Sequence, residues 1–418
     1  MLVDTISMEK RQLLLDKATI RKYLVYYQGL LKPRFFKASD IVKFIQQVGC
    51  IQYDPLRPLA RNADLVLQAR IPQYQEEMLD KLLYQDRIIL DGWDKMQSLY
   101  LTTDWPYLSR IRQSYIENYM LQLSDQKKQD ILFLAQKILE HLQQHGPSFL
   151  REMVLPFEHP NKNKLAHNAL DYLCYTGKIG VFNKKRGIRQ YDCIENIIPQ
   201  AILQKGDPFK AEDDFLDWYV LRKISSIGIY WAKSSSIWYT TPTKMKADRQ
   251  KVISRLIDQK KLTSVVIEDC KDTFYLPTTH LPLLQESKTV SYEKQVHFIA
   301  PLDNLIWDRM FIQTIFNFDY MWEVYKPLSA RKYGYYVLPV LYGTLFVARF
   351  EGTYQPTSKT LTIQNWWWEK GTVVDIPLLH QIKIALLNFQ QFLQAEQIQL
   401  QSVQKILPID FDENESSQ

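Results

Sequence analysis

Apolar side chains recur at a helical period near residue 40 and then give way to a short alternating stretch. The segment KASDIVKFIQQVGC carries apolar residues at i, i+3, i+4 and i+7, which predicts an amphipathic helix with Ser39 as its N-cap and Gly49 at its end. Pro55 disfavours the helical region for the residue before it, so residues 50–54 are predicted to be extended. The apolar residues of the helix are Ile41, Phe44, Ile45 and Val48.

Two later parts of the chain repeat one order of elements. Residues 130–193 show three helical patterns followed by two short strands around a basic turn, which is the winged-helix arrangement. Residues 211–277 repeat this order, with YWAKSSSI as the short second helix and an acidic turn at 268–272. The basic turn of the first copy contains Lys184, Lys185 and Arg186, which we expect to contact DNA phosphates.

After about residue 290 the pattern becomes rich in β-strands. Two apolar runs joined near Gly343 indicate a hairpin, SKTLTIQNWWWEKG adds a strand, and PLLHQIKIALLNFQQFLQAEQ is a closing helix. The predicted fold class is α+β, with tandem winged-helix domains followed by a C-terminal β-barrel-like domain. The predicted domains are a winged-helix-like domain at 1–125, winged helices at 126–200 and 201–285, and the β-rich barrel with its terminal helix at 286–418.

Composition and charge are those of an ordinary globular protein. With 418 residues, of which 46% are hydrophobic and 23% charged, the chain is long enough for several domains. The net charge of +6 is compatible with a polyanionic partner but does not require one. The four cysteines lie far apart, as is usual in a reducing cytoplasm, and neither a signal peptide nor a membrane-spanning apolar run is apparent. We therefore expect a cytoplasmic protein without a membrane partner.

Several common catalytic sites find no support in the sequence. The seven histidines have no metal-binding spacing, and neither a phosphate-binding glycine loop nor a nucleophile elbow occurs. We therefore expect no metal and no cofactor. A cluster of carboxylates suited to two metal ions is also lacking, which disfavours a nuclease.

Basic and aromatic residues are interleaved between positions 308 and 336. Cations hold phosphates and rings stack on bases, so this mixture is typical of nucleic-acid binding, although half of the rings are equally compatible with a buried core. Two arginines also follow the extended segment at 50–54. The candidate DNA-binding residues of both stretches are Arg57, Arg61, Arg309, Lys326, Arg331, Lys332, Tyr333 and Tyr335.

Gln52 and Asp54 are the candidate catalytic pair. Side chains alternate in an extended segment, so these two share one face while Tyr53 takes the other, with their Cα atoms roughly 6–7 Å apart. A carboxylate can stabilise a sugar cation or accept a proton from water, and an amide can hold that water in line. The alternative interpretation is a turn, because Asp-Pro is a common turn element.

The sequence also resembles a known family. GCIQYDPL with RNADLVLQARIPQY, FIAPLDNLIWDRM, and FDYMWEVYKPLSARKYGYYVLPVLYG are similar to stretches of the YcaQ/AlkZ family of bacterial alkylpurine DNA glycosylases, in its Q-Φ-D subgroup. The resemblance extends from about residue 20 to residue 390. It implies tandem winged helices with a β-rich barrel, cleavage of the N-glycosidic bond of alkylated purines, Asp54 as the catalytic carboxylate and Gln52 as the residue that positions water.

One departure from the family pattern concerns a possible second chemistry. Relatives often have W-x-H-E where this chain has GWDKMQS, so Lys95 and Met96 replace a histidine and a glutamate. Lys95 would act as the Schiff-base lysine of a bifunctional glycosylase/lyase only if burial or a charged neighbour made it nucleophilic near neutral pH.

The function predicted from these observations is a monofunctional DNA glycosylase for cationic N7- or N3-alkylated purines, with interstrand crosslinks as a further candidate substrate. Its partner is double-stranded DNA that contains alkylated purines, and we expect a monomer. The alternative from another class is a winged-helix transcriptional regulator that binds DNA without catalysis.

Overall fold

The computed structural model describes residues 13–154, 162–185, 187–238, 245–400 and 402–411 and has a mixed α+β fold. Its helices are α1 (Lys17–Tyr27), α2 (Ala38–Val48), α3 (Asn62–Gln68), α4 (Glu76–Asp80), α5 (Ser109–Leu121), α6 (Asp125–His145), α7 (Leu150–Val154), α8 (Lys162–Tyr175), α9 (Gln200–Leu203), α10 (Glu212–Ile227), α11 (Lys246–Asp258), α12 (Leu281–Thr289), α13 (Arg309–Phe316) and α14 (Ile376–Phe392). Its strands are β1 (Leu13–Leu15), β2 (Cys50–Gln52), β3 (Ile89–Asp94), β4 (Met96–Leu101), β5 (Ser148–Phe149), β6 (Ile179–Lys185), β7 (Ile188–Cys193), β8 (Tyr230–Trp231), β9 (Leu262–Ile267), β10 (Thr273–Pro277), β11 (Val296–Phe298), β12 (Val337–Tyr342), β13 (Leu345–Gln355), β14 (Thr360–Trp368) and β15 (Gln397–Gln399).

Three units of the chain share one sheet topology. In each unit the last strand lies between the other two, which gives the orders β2-β4-β3, β5-β7-β6 and β8-β10-β9. These units span 38–101, 125–193 and 212–277, and we call them the first, second and third units. Strand β1 adds to the third unit by pairing in parallel with β9, so the N-terminal strand packs far from its neighbours in sequence.

Helix α2 forms where the apolar period predicts it. Its four apolar positions are buried, and Gly49 ends it with φ 82°, a conformation that favours glycine. The prediction that Ser39 is the N-cap is wrong. Lys37 occupies that position, because the Asp40 carboxylate accepts the backbone N–H groups of Phe36 (2.8 Å) and Lys37 (3.3 Å) and so starts the helix earlier.

The short helix predicted at YWAKSSSI is also absent. Tyr230 and Trp231 form strand β8 instead, opposite Tyr275 and Phe274 of β10. Both rings of β8 are buried, with at most 1% of each side chain exposed. Pairing and burial in the sheet therefore outweigh the weak local helical pattern. A single 3-10 turn follows at residues 236–238.

The C-terminal part is built on a five-stranded sheet in the order β11-β12-β13-β14-β15. The predicted hairpin is confirmed: β12 and β13 are antiparallel and turn at Gly343, which has φ 59°. Helix α14 follows the sheet, as predicted, and buries one apolar face. Strands β11 and β15 are the edges of this sheet, so the described strands form an open sheet.

The apolar core has two parts. One continuous cluster runs through the first unit, the third unit and the C-terminal sheet, and a separate cluster fills the second unit. A buried ion pair between Arg70 and Asp303 (2.7 Å) lies inside the large cluster. The second unit meets the first through Lys184, whose ammonium lies 2.5 Å from Asp91. No helix within the described ranges is both long and apolar enough to cross a membrane.

Candidate active site

The segment of Gln52 and Asp54 is extended, as the sequence predicts. Gln52 ends strand β2 opposite Ser98, and the Tyr53 N–H continues the ladder by donating to the Gln97 carbonyl (2.9 Å). The chain then turns, and the Asp54 carboxylate accepts the Leu56 N–H (2.8 Å). The side chains of Gln52 and Asp54 line one groove of about 810 Å³, so the pair shares a cavity.

Asp54 is a carboxylate without a counter-cation. Only 8% of the residue is exposed, and it forms no salt bridge with any residue that the structure describes. Burial raises the pKa of this carboxyl above its usual value, although the Leu56 N–H acts in the opposite direction. The groove therefore contains a carboxylate that forms no ion pair with a described residue, although Lys95 and Arg309 also line the groove.

Lys95 holds the amide of Gln52. Its ammonium donates to Gln52 Oε1 (2.7 Å) and lies 4.8 Å from the centre of the Trp307 ring. Only 6% of Lys95 is exposed, and burial together with Lys223 lowers the pKa of Lys95 to about 8. Because Oε1 is engaged, the amide nitrogen of Gln52 is the end that remains for a ligand or a water in the groove.

Two buried polar residues fix the backbone around this pair. Asp94, in the turn that carries Lys95, pairs with Lys223 and with Arg222 (2.9 Å to Nε) of helix α10. Asn62 donates to the Gln52 carbonyl (2.9 Å) and accepts the Leu302 N–H (3.1 Å). The groove is therefore assembled from the first unit, the third unit and the segment before α13.

The far wall of the groove carries one predicted DNA-binding residue. Arg309 is exposed at the start of α13 and lines the groove together with Asp54. Asp308 beside it points inward, because its carboxylate accepts the Trp231 indole N–H (3.2 Å) and the Phe311 N–H (3.0 Å). Arg309 has no ion-pair partner among the described residues and lines the same groove as the candidate catalytic pair.

The predicted residues between 326 and 335 lie on a loop beside the groove. Lys326 pairs with Glu323 (2.7 Å), and the Arg331 guanidinium lies 4.9 Å from the centre of the Tyr335 ring. Lys332 is exposed. The Tyr333 ring packs against Trp367 and lies under the Arg349 guanidinium, and the Tyr335 N–H donates to Glu351. Tyr325 next to Lys326 lines the groove, whereas Tyr333 and Tyr335 are partly structural.

Arg57 and Arg61 have acidic partners. Arg57 is half exposed and pairs with Glu76 (2.7 Å). Arg61 is 12% exposed and is held by Asp64 and by Asp80 (2.6 Å). The structure thus gives Arg61 a structural role, and a phosphate contact would first have to open these ion pairs.

The basic turn of the second unit is connected to the candidate site in an unexpected way. Lys184 is 6% exposed, pairs with the buried Asp91 and lies 3.5 Å from the centre of the Tyr53 ring. A contact between Lys184 and DNA stays a prediction, and it requires this ion pair to break. Lys185 ends strand β6, and Arg186 lies outside the described residues.

Sequence reasoning missed three features of the site. The contact between Lys95 and Gln52 joins residues 43 positions apart, and Trp307 is more distant still, so no local pattern reports them. The outward position of Tyr325 was also missed, since the interleaved aromatics around it do not distinguish buried rings from exposed ones. Across the described ranges, no group of three or more His, Cys, Asp or Glu residues is arranged to hold a metal ion.

Comparison with known proteins defines the class of enzyme. A family model described as DNA glycosylase AlkZ-like matches residues 45–395. The chain therefore belongs to the AlkZ-like family of DNA glycosylases, which confirms the resemblance seen in the sequence. Among solved structures it is similar to DNA glycosylase AlkZ from Streptomyces sahachiroi, with a TM-score of 0.61 and 11% identity over 93% of this chain and 99% of that chain. At this identity the likeness concerns the fold alone.

Proposed function

We propose that this DNA glycosylase hydrolyses the N-glycosidic bond of purines that carry a positive charge after alkylation at N7 or N3. One observation carries the proposal: the buried Asp54 carboxylate faces the groove without a salt bridge to any described residue. A buried charge without a partner is costly, and a cationic ligand or transition state relieves that cost.

The reaction follows from the charge of the lesion. Alkylation makes the purine a good leaving group, so it departs with the electron pair of the C1′–N9 bond and becomes neutral without protonation by the enzyme. The sugar becomes an oxocarbenium-like cation, which Asp54 stabilises. Asp54 also accepts a proton from the water that attacks C1′. The products are the free base and an abasic site, which is the outcome of a monofunctional glycosylase.

Gln52 holds the attacking water. Lys95 occupies its Oε1, so the amide nitrogen is directed to donate to the water oxygen while Asp54 accepts a water proton. Lys95 is in this scheme a positioning residue, because it acts on the water only through Gln52. The arrangement needs neither a metal nor a cofactor.

The experiment that tests the proposal compares Asp54→Asn with the wild type on a duplex that contains N7-methylguanine. We expect the single-turnover rate of base release to fall by about a hundredfold or more, because the asparagine neither carries the charge nor accepts the proton. Duplex affinity should be nearly unchanged. Asp125→Asn is the matched control, since Asp125 is 93% exposed on α6, and it should behave as wild type.

Two outcomes would contradict this assignment. If Asp54→Asn releases base at the wild-type rate, Asp54 is not a catalytic residue. If the wild type releases no base, the alternative of a regulator that only binds DNA is favoured. Equal turnover of hypoxanthine, a neutral base, would contradict the preference for cationic lesions.

An amine route through Lys95 is the competing chemistry. Its burial and its pKa of about 8 are what a nucleophilic lysine requires. Such a lysine would attack C1′ and form a Schiff base, which borohydride reduces to a stable bond. We expect no trapped complex, because the ammonium is engaged by Gln52. A covalent complex that Lys95→Met abolishes would establish the bifunctional route instead.

We also infer how the molecule binds its substrate. The shared topology of the three units supports their interpretation as tandem winged helices, and the C-terminal sheet with α14 as the barrel-like part. The groove volume of about 810 Å³ is near the upper end of the range of about 300–1,000 Å³ for ligand pockets, so it exceeds what one purine needs. This volume favours bulky lesions, including interstrand crosslinks, as substrates. Base release from a duplex that contains a nitrogen-mustard crosslink tests this expectation. We expect the protein to act on duplex DNA as a monomer in the cytoplasm.

A further inference from the structure

A loop beside the groove presents two large apolar side chains to solvent. Tyr325 is 82% exposed and Leu328, three residues further on, is 80% exposed. Tyr325 also lines the groove that contains Asp54. The loop thus places an uncovered aromatic ring at the rim of the candidate active site.

The base of this loop is held rigidly. Glu323 is 3% exposed, and its carboxylate accepts the Lys326 ammonium (2.7 Å) and the backbone N–H groups of Lys332 (2.9 Å) and Tyr333 (2.8 Å). Burial opposes ionisation of Glu323, but these donors outweigh it and lower its pKa to about 2. The Arg331 guanidinium closes the turn by donating to the Lys326 carbonyl (3.0 Å).

A rigid base and an uncovered tip together indicate preorganisation. The side chain of Tyr325 touches only the edge of the Trp322 ring among the aromatic groups described, with 5.7 Å between ring centres. An exposed ring on a mobile loop would lose conformational entropy on binding, whereas a ring on a fixed loop loses little. The loop is therefore suited to present Tyr325 to a ligand.

The charges around the ring identify that ligand as a nucleic acid. Arg331 and Lys332 follow Tyr325 on the same loop, and Arg309 lies on the groove wall with Asp54. Cations that share a loop or a groove with an exposed ring match the phosphates that flank a base. A protein partner would not require this combination of positive charge and an aromatic tip.

We propose that Tyr325 inserts into the duplex beside the lesion, stacks on a neighbouring base and holds the damaged nucleotide against Asp54. Leu328 supports the same base step from the outer side of the loop. This inference rests on the proposed function, because it assumes that DNA lies in the groove. Tyr325 is a specificity and positioning residue in this scheme, since its ring contacts the neighbouring base and takes no part in bond breaking.

The test uses a duplex that cannot be cleaved. It contains 2′-fluoro-N7-methylguanine, whose glycosidic bond resists hydrolysis, and 2-aminopurine in the opposite strand at the base step that the ring would open, where its fluorescence rises when it loses its stacking partner. We expect binding of the wild type to raise the fluorescence. Tyr325→Ala should bind this duplex about tenfold more weakly and lose the fluorescence rise, whereas Tyr325→Phe should keep both.

Matched variants distinguish an effect of the Tyr325 ring from the effect of removing any exposed side chain. Ile376→Ala removes a side chain that is 83% exposed on α14, far along the chain from the groove, and should behave as wild type. Thermal melts of all three variants should agree, because no buried contact is removed. Leu328→Ala should give an intermediate loss of the fluorescence rise.

Three results would overturn the inference. A full fluorescence rise with Tyr325→Ala would show that the ring does not insert, and a loss with Tyr325→Phe equal to that with Ala would assign the effect to the hydroxyl. If Tyr325→Ala binds the duplex with wild-type affinity, Tyr325 does not contact the DNA. The proposed function is tested separately by base release from a cleavable duplex by Asp54→Asn, so either idea can fail without the other.

Discussion

At the scale of single residues, the candidate site combines one uncompensated anion with one buried cation. Asp54 has a raised pKa because it is buried, and Lys95 has a lowered pKa for the same reason. Burial thus shifts the pKa of the acid upward and that of the base downward.

Base release should therefore depend on pH in two steps. The rate should fall as pH drops through the raised pKa of Asp54, since the protonated acid neither stabilises the sugar cation nor accepts a proton. It should rise further as pH increases through about 8, because Lys95 then loses a charge that repels the sugar cation. Single-turnover rates between pH 4 and 9 measure both steps. The Lys95→Met variant should release base more slowly than wild type at all pH values, and its pH profile should lack the upper step. If the upper step is retained, it is caused by a group other than Lys95.

The sequence predicts half of this site. Alternation in an extended segment is a local rule, and Gln52 and Asp54 do line one groove, but Tyr53, which the same rule places on the other face, lines that groove too. The bond from Lys95 depends on the pairing of β2 with β4, which no local pattern reveals. The exposure of Tyr325 is equally inaccessible, because it depends on how the loop from 323 to 333 closes on Glu323.

At the scale of elements, the turn between β3 and β4 is held by a charged cluster rather than by apolar packing. Burial opposes ionisation of Asp94, but Lys223 and Arg222 outweigh it and hold the pKa of this carboxyl well below its usual range. All three side chains are at most 11% exposed. The cluster thus joins the turn that carries Lys95 to helix α10.

Breaking this cluster should be costly. Asp94→Asn removes the carboxylate that the buried Lys223 pairs with and leaves Arg222 with Asp104 (2.8 Å), so we expect the free energy of unfolding to fall by about 3–5 kcal/mol. The contribution of Asp94 is present above its unfolded pKa near 4 and is lost as pH falls, since the folded pKa is the lower one. Urea denaturation at pH 7 measures the first effect, and a series from pH 7 down to pH 2.5, below the unfolded pKa, measures the second. A loss below 1 kcal/mol, similar to that of Asp125→Asn, would contradict the structural role.

Helices and strands were predictable where their own residues show a clear helical or strand period. Helices α2 and α14 and the hairpin of β12 and β13 have strong periods and clear turn residues. The prediction failed at strand β8, because two aromatic residues followed by AKSSS have no strand period. These residues are extended because they pair with β10. Strand β1 was missed for the same reason: its partner β9 lies about 250 residues further along the chain.

At the scale of the whole molecule, the second unit is a distinct part with its own core. It contacts the first unit near the tip of its hairpin, where Lys184 reaches both Asp91 and the Tyr53 ring, and also through Tyr175, whose ring packs against Trp93. The sequence predicted a repeated order of helices and strands but not this junction, since a basic turn is normally interpreted as a surface for phosphates.

The two roles of the basic turn can be separated. Lys185→Gln with Arg186→Gln should weaken duplex binding and reduce the slope of log affinity against log salt by about two, because two phosphate contacts are lost. Lys184→Met should leave the slope unchanged but lower the free energy of unfolding, since Asp91 loses its buried partner. Filter binding from 50 to 300 mM salt gives the slopes.

A charge-matched control accompanies this experiment. Lys359→Gln with Lys370→Gln removes two exposed charges from the C-terminal sheet, and its slope should equal that of wild type. If the Lys185/Arg186 variant also keeps the wild-type slope, the turn does not touch DNA.

The Lys184 junction also decides how the second unit can be exchanged. Its independent core makes residues 125–193 look like a cassette that could be grafted from one relative into another. A graft that follows the core boundary would nevertheless cut the link between Lys184, Asp91 and Tyr53, and Tyr53 lies between the two candidate catalytic residues. A working chimera must therefore transplant Tyr53 and Asp91 together with the cassette, so the boundary for recombination passes through the active site and not beside it.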